Sequence, residues 1–350
     1  MPGKDQVENV KDELEKKKTK AVALLSGGLD SSLAVRMMME QGVEVEAIAI
    51  KTPFCDFDCG KGCGHRVKKV SAELGIPLKT VYFGDEYLKM LKNPKHGFGS
   101  GMNPCIDCRA MMYREAKKHM EKINADFIVT GEVLFQRPMS QNSRALRIIE
   151  EETDTTGKVL RPLSARCLAP TEAEKDCRVI RENLGNIKGR SRKDQLKLAQ
   201  HFNIEDPPNS AGGCLLTDPA FSKRIKDSFE HAPDIPNLND VELLKLGRHF
   251  RISSDAKLIV GRNMEENEKI KSLSMAGDII LEAIDYVGPT CLLRGKMLDE
   301  PLLYASSSIV LRYSDSPKGV KCRVRALVQN KEEEIHVASA RDEEIVKLRI

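Results

Sequence analysis

The chain has 350 residues, 41 % hydrophobic and 31 % charged, a balance that excludes disorder and leaves length for two domains. Net charge is only +4, so charge alone indicates no nucleic-acid partner, and no apolar run approaches the ~20 residues of a membrane span. Ten cysteines follow a polar leader without a secretory signal, so a cytoplasmic address is expected, where thiols serve metals or catalysis more than disulfides.

Residues 1–20 read as a charged helical leader. Ala21–Leu25 is then a short apolar run, a buried strand, and Leu33–Met39 is a helix former without a breaker. Between them lies Ser26-Gly27-Gly28-Leu29-Asp30-Ser31-Ser32. Strand, glycine turn and helix N-terminus in that order make an anion site, because backbone amides and a partial positive charge converge there. Ser26, Ser31 and Ser32 add hydroxyls. The loop lacks the Gly-Lys-Ser/Thr ending of a P-loop, and Asp30 among phosphates calls for a bridging Mg²⁺.

Strand and helix patterns then alternate. Val43–Ile50, Leu78–Phe83 and Ala125–Thr130 read as strands, and Arg66–Leu74 and Cys108–Ile123 as helices. Arg144–Glu152 reads as a further strand and Val159–Leu163 as its return. Thr171–Glu174 has the form of a capping box opening a helix to about Asn183, and Ser191–Phe202 is another helix. The repetition predicts an α/β fold with a doubly wound, mainly parallel sheet over residues 21–234. Beyond Asp234–Asp240, a linker, come short apolar stretches including Ala256–Val260, Asp278–Leu281, Ser307–Leu311 and Cys322–Val328. They predict a smaller, β-rich α+β domain over residues 235–350.

The cysteines fall into two sets. Cys105-Ile106-Asp107-Cys108 opens a helix, a position expected to lower thiol pKa, with Arg109 adjacent. With Cys214, which follows Gly212-Gly213, these thiols suit either a [4Fe–4S] cluster with one open iron or a catalytic pair ending as a disulfide. Cys55, Cys59 and Cys63, with His65, could bind Zn²⁺ or a second cluster. Cys167, Cys177, Cys291 and Cys322 read as packing residues.

The loop at 26–32 resembles the SGGxDS signature of the PP-loop ATP pyrophosphatases. Asn103-Pro104-Cys105 through Cys108, and Thr130-Gly131-Glu132-Val133-Leu134-Phe135-Gln136 with Ser140-Gln141, are similar to the tRNA 4-thiouridine synthetases. The Asn-Pro-Cys element also resembles the tRNA 2-thiouridylases. The resemblance covers residues 20–165 and implies an adenine nucleotide α-hydrolase-like fold. It further implies ATP, tRNA and a sulfur donor, free sulfide or a persulfide carrier. Ser26, Gly27, Gly28, Asp30, Ser31, Ser32 and Gly131 would then hold the nucleotide, and Asp30, Cys105, Cys108 and Cys214 would act in catalysis.

A uridine carbonyl oxygen, at position 4 before position 2, would be adenylated and replaced by sulfur, with the [4Fe–4S] cluster on Cys105, Cys108 and Cys214 favoured over the disulfide route. Those synthetases carry an RNA-binding THUMP region ahead of the loop, where this sequence has its short leader. The region after 235, with Arg248, His249, Arg251 and Arg262, is therefore the expected RNA-gripping part. Two other readings share these residues. One is an amide- or nitrile-forming ligase of small molecules with structural zinc, and the other is a non-catalytic metal-binding RNA-binding protein.

Overall fold

The computed structural model describes residues 18–55, 63–204, 214–231, 234–296, 298–328 and 331–350, the side chains of 63–65 excepted. By the density of contacts the chain forms two compact units. Residues 1–83, 93–99 and 103–214 make the first, and 84–92, 100–102 and 215–350 the second.

In the first unit β1 (Lys20–Leu24), α1 (Leu29–Glu40), β2 (Glu44–Lys51), α2 (Cys63–Leu74) and β3 (Leu78–Tyr82) follow one another. After α3 (Asp85–Lys92), which belongs to the second unit, come α4 (Cys105–Lys122), β4 (Phe127–Thr130), α5 (Ser143–Thr153), β5 (Val159–Leu160), α6 (Glu172–Lys175) and α7 (Lys193–His201). The strands pair in parallel in the order β3-β2-β1-β4-β5. This is the expected doubly wound sheet. Ala21 and Ala23 of β1 face a core built with Leu33, Met38, Val67 and Leu74 from α1 and α2. Val22 faces the opposite core with Tyr113, Ala116 and Met120 of α4 and Ile149 of α5. With helices on both faces, every residue of the central strand is apolar save its first, as parallel sheets require. The order of strand addition reverses between β1 and β4, and ligands of such sheets bind at that crevice, beyond the carboxyl ends of the strands.

Two sequence expectations fail here. Residues 143–153 form a helix, α5, and no strand. Asn142 caps it by accepting from the Ala145 amide at 2.9 Å, and its buried side chains, Ala145, Leu146, Ile149 and Thr153, recur at helical spacing. The helix expected to reach Asn183 ends at Lys175. Its capping box forms, but Cys177 takes a left-handed φ of 56°, and only a 3₁₀ turn at Arg181–Asn183 remains.

The second unit contains α8 (Pro219–His231), α9 (Leu238–Leu244), β6 (Arg248–Arg251), β7 (Ala256–Val260), α10 (Met264–Ser272), β8 (Ile279–Ala283) and β9 (Cys291–Gly295). α11 (Glu300–Arg312), β10 (Lys321–Val328), β11 (Lys331–Ala338) and α12 (Asp342–Leu348) complete it. Its sheet is antiparallel, ordered β11-β10-β8-β9-β7-β6. Leu243, Ile270, Ile259 and Leu292 pack on one face, and Phe250, Leu258, Ile309, Val310 and Ile345 on the other. Ser307–Leu311, expected among the short strands, lies in α11, started by Asp299, whose carboxylate accepts from the Leu302 amide.

The cations singled out for RNA in this unit are largely engaged within it. Arg251 clasps Asp227 with Nε at 3.1 Å, and Arg262 clasps Glu266 with Nε at 2.9 Å. His249 is 1 % exposed, and burial holds its imidazole well below the ordinary value, hence neutral. Arg248 lies over the Tyr313 ring.

Lys257 Nζ is buried 3.5 Å from Asp227 Oδ2, a carboxylate already clasped by Arg251, and burial lowers the amine from 10.5 to about 8. The unfolded chain keeps that proton to higher pH than the folded one, so Lys257 makes stability rise with pH between those values. Lys257→Met is expected to flatten that rise, read by urea unfolding at pH 7.5 and pH 10. An unchanged slope would place the titration elsewhere.

Candidate functional site

The loop between β1 and α1 is fastened from within. Gly27 has φ +73°, a left-handed conformation that other residues rarely adopt, and a Cβ there would meet Val67 at 3.1 Å. Ser31 Oγ donates to the Gly28 carbonyl at 2.9 Å and Ser32 Oγ to the same carbonyl at 3.0 Å, while Ser26 Oγ lies 3.2 Å from Ser31 Oγ. The hydroxyls of Ser31 and Ser32 therefore hold the turn. The amides that open α1, left without intrahelical partners by helix geometry, are what an anion would meet. Gly131, just past β4, packs directly on this point. A Cβ on it would overlap the Ser31 amide nitrogen and lie 2.5 Å from the Asp30 carbonyl carbon. Its close approach is to the helix start, and only glycine permits it.

A cleft of about 350 Å³ opens here, lined by Ser26, Gly28, Asp30, Ser31, Gly131, Glu132 and Gln136, and by four arginines, 109, 137, 190 and 192. Asp30 is pushed above the ordinary carboxylate value by burial, against the pull of Gln136, Arg192 and Arg137. Gln136 Nε2 donates to its Oδ2 at 3.0 Å, whereas Oδ1 is buried with no hydrogen-bond partner. A buried carboxylate oxygen left bare beside an anion site fits a hard cation such as Mg²⁺.

Under the cleft lies a buried ionic platform. Glu132 is 2 % exposed, and burial alone would raise its carboxyl, but Arg109, Arg161 and the Tyr113 hydroxyl together hold it below the ordinary value. Arg161 Nε donates to Glu132 Oε2 at 3.1 Å, its Nη1 to Glu150 at 2.6 Å and its Nη2 to the Tyr113 hydroxyl at 3.0 Å. Tyr113 itself donates to Glu132, and its phenol is pushed far up by burial, so it stays protonated. Glu132 thus accepts from both Tyr113 and Arg161. Nothing in the sequence flagged Tyr113, Arg161 or Glu150, which lie far apart in the chain and belong to no motif.

Cys105 and Cys108 open α4 as expected, but the expected fall in thiol pKa does not occur at Cys105. Burial pushes that thiol up, and Arg109 and Arg137 offset burial only in part. Arg137 thus acts on both Asp30 and Cys105, and Arg109 on both Cys105 and Glu132. The nucleotide loop and the Cys-x-x-Cys share one cationic neighbourhood. Among the described residues, no three of His, Cys, Asp or Glu gather closely enough to ligate a metal. Cys105, Cys108 and Cys214 therefore do not form the three-sulfur set that a cluster needs. Cys59 lies outside the described residues, as do the side chains of Cys63 and His65, and Cys55 Sγ lies 3.3 Å from the Thr52 hydroxyl. Among the described residues no helix is long and apolar enough to cross a membrane.

Residues 17–166 match the family described as thiamine biosynthesis protein (ThiI), and residues 247–349 match the NFACT protein RNA binding domain. The chain is 25 % identical over 253 residues to the tRNA-specific 2-thiouridylase MnmA of Bradyrhizobium diazoefficiens, covering 67 % of this chain and 60 % of that one. It is 36 % identical over 119 residues to a probable tRNA sulfurtransferase of Thermoanaerobacter, covering 33 % and 30 %. Among solved structures, the U34-tRNA thiolase NcsA from Methanococcus maripaludis with its [4Fe–4S] cluster matches at TM-score 0.34 and 16 % identity, over 66 % of this chain and 72 % of that one. The chain thus spans about three fifths of the length of the 2-thiouridylases it matches. Loop, cleft and family match agree, and over residues 17–166 the chain is similar to the PP-loop tRNA thiouridine synthetases.

Proposed function

We propose that this protein is an ATP-dependent tRNA sulfurtransferase that exchanges a uridine carbonyl oxygen for sulfur, with 4-thiouridine the favoured product and 2-thiouridine the second. The observation that carries this reading is that Arg137, on the cleft wall, acts on both Asp30 and Cys105 and so links the nucleotide loop to a sulfur residue. The amides opening α1 would receive the phosphates of ATP. Asp30 Oδ1 would hold Mg²⁺, which when bound neutralises polyphosphate charge.

The uridine oxygen attacks the α-phosphorus, the bond to the bridging oxygen breaks, and pyrophosphate leaves with that electron pair. Sulfur then attacks the activated carbon, and AMP departs with the former carbonyl oxygen. Arg109 and Arg137 favour an anionic sulfur at Cys105 against the penalty of its burial. The sulfur is assigned to the outer sulfur of a persulfide placed on one of Cys105, Cys108 and Cys214 by a persulfide carrier. A second of these thiols then attacks the S–S bond, thiouridine leaves, and the resulting disulfide is reopened by an external dithiol. The family match of residues 247–349 supports the second unit as the RNA-holding part.

The test uses the full chain with unmodified tRNA, ATP, a persulfide-loaded sulfur carrier and a dithiol reductant. Asp30→Asn is expected to lower pyrophosphate release by about 10²-fold or more, the scale for losing one group that stabilises developing charge. Cys105→Ala, Cys108→Ala and Cys214→Ala are expected to keep pyrophosphate release and lose thiouridine. Loss of pyrophosphate release in the cysteine variants would overturn this division of roles. ATP turnover without any need for tRNA would favour a small-molecule ligase. Iron and acid-labile sulfide in anaerobically purified protein, lost in each cysteine variant, would replace the persulfide with a cluster.

A further inference from the structure

The nucleotide loop forms one wall of the cleft, and the opposing cations come from a part of the chain beyond the matched residues 17–166. Residues 187–189 are stitched to the first unit. The Ile187 amide donates to the Leu163 carbonyl at 2.8 Å, Ser164 Oγ to the Ile187 carbonyl at 2.7 Å, and the Gly189 amide to the Leu134 carbonyl at 2.7 Å. This anchoring delivers Arg190 and Arg192 to the cleft wall, and Arg192 is the foremost charge acting on Asp30. α7 begins immediately afterwards and packs on α1 through Ala199.

One turn into α7 stands Gln195, wholly buried, with neither amide atom in a hydrogen bond. It faces Asp30, whose Oδ1 is likewise without a hydrogen bond. Two unsatisfied polar groups opposed across the start of α1 destabilise the empty protein. A cation bound beside the phosphates would satisfy Asp30 Oδ1.

We propose that Arg190 and Arg192, with the buried Gln195 as a positioning residue behind Asp30, form a polyphosphate clamp, which grips the β- and γ-phosphates of ATP and holds the departing pyrophosphate. The proposal rests on the reading of the loop as an ATP site. AMP lacks both outer phosphates, so the clamp discriminates ATP and pyrophosphate from AMP. It also stabilises the charge that develops on the leaving group.

The test is calorimetric titration of the full chain with α,β-methylene-ATP, pyrophosphate and AMP, each with Mg²⁺. Arg192→Ala is expected to weaken the ATP analogue and pyrophosphate roughly 10- to 100-fold, with AMP changed less than about twofold. Arg192→Lys is expected to restore part of the loss. Gln195→Leu removes the unsatisfied amide, so it is expected to raise the thermal midpoint of the empty protein while weakening the ATP analogue. A structural glutamine would give the opposite stability change and spare the ligand. Equal losses for AMP and the ATP analogue in Arg192→Ala, or full ATP-analogue affinity in both variants, would overturn the clamp alone. Wild-type protein that takes pyrophosphate but not the ATP analogue sinks the ATP reading and keeps the clamp. Protein that takes neither sinks both.

Discussion

Gly131→Ala is expected to disable the nucleotide site through a single methyl group. The methyl would overlap the Ser31 amide and the Asp30 carbonyl, which are backbone atoms at the start of α1. Flexible side chains can swing aside, but a helix terminus held by the bonds of Ser31 and Ser32 to Gly28 cannot. Overpacking of this kind costs about 1–3 kcal/mol of stability. The larger effect is functional, because the atoms that must move are the anion-binding amides and the carboxylate beside them. A loss of roughly 10²-fold in ATP affinity is expected, since ångström-scale misplacement at such sites has that effect. Titration of ATP into the folded variant, with circular dichroism to confirm folding, checks this. Wild-type affinity would mean that the loop tolerates displacement and that Gly131 serves another purpose.

Arg161→Met is expected to be the most destabilising single change. The guanidinium serves Glu132, Glu150 and Tyr113 together in a nearly dry site. Removing one partner from a buried ionic network costs about 3–5 kcal/mol, because the remaining charges stay desolvated. The sign of the pH dependence follows from Glu132. Its folded carboxyl lies below the ordinary 4.5, so its contribution is complete above that value and is lost as pH falls through the folded value. Without Arg161 burial regains weight, and the acid-side loss moves to higher pH. Urea unfolding at several pH values between 3 and 7 reads both effects. A variant within about 1 kcal/mol of wild type at pH 7 would show the platform to be dispensable.

What the sequence disclosed was local. β1, the glycine turn and α1 are contiguous, so periodicity and turn chemistry were enough, and Asn103–Cys108 announced the start of α4 in the same way. Residues 143–153 misled because Ile148 and Ile149 look like a strand when the cap at Asn142 goes unread. Ser307–Leu311 misled for the same reason, its start signal lying at Asp299. Chemistry built from distant residues was invisible. Tyr113, Glu132 and Arg161 meet only because α4, the end of β4 and the loop after β5 converge under the cleft. The raised thiol of Cys105 shows the converse error. Helix position and a neighbouring arginine were legible, whereas burial, which outweighs them, was not.

The division of the chain bears on how the protein can be cut. Residues 84–92 and 100–102 lie inside the matched 17–166 yet cluster with the second unit. A fragment starting at 215 would therefore lack α3, whose Tyr87, Leu88 and Leu91 are buried, and a fragment ending at 214 would retain α3 without the unit it clusters with. Single-site truncation is a poor way to obtain either half. The two units share one polypeptide in alternation, so no single cut separates them.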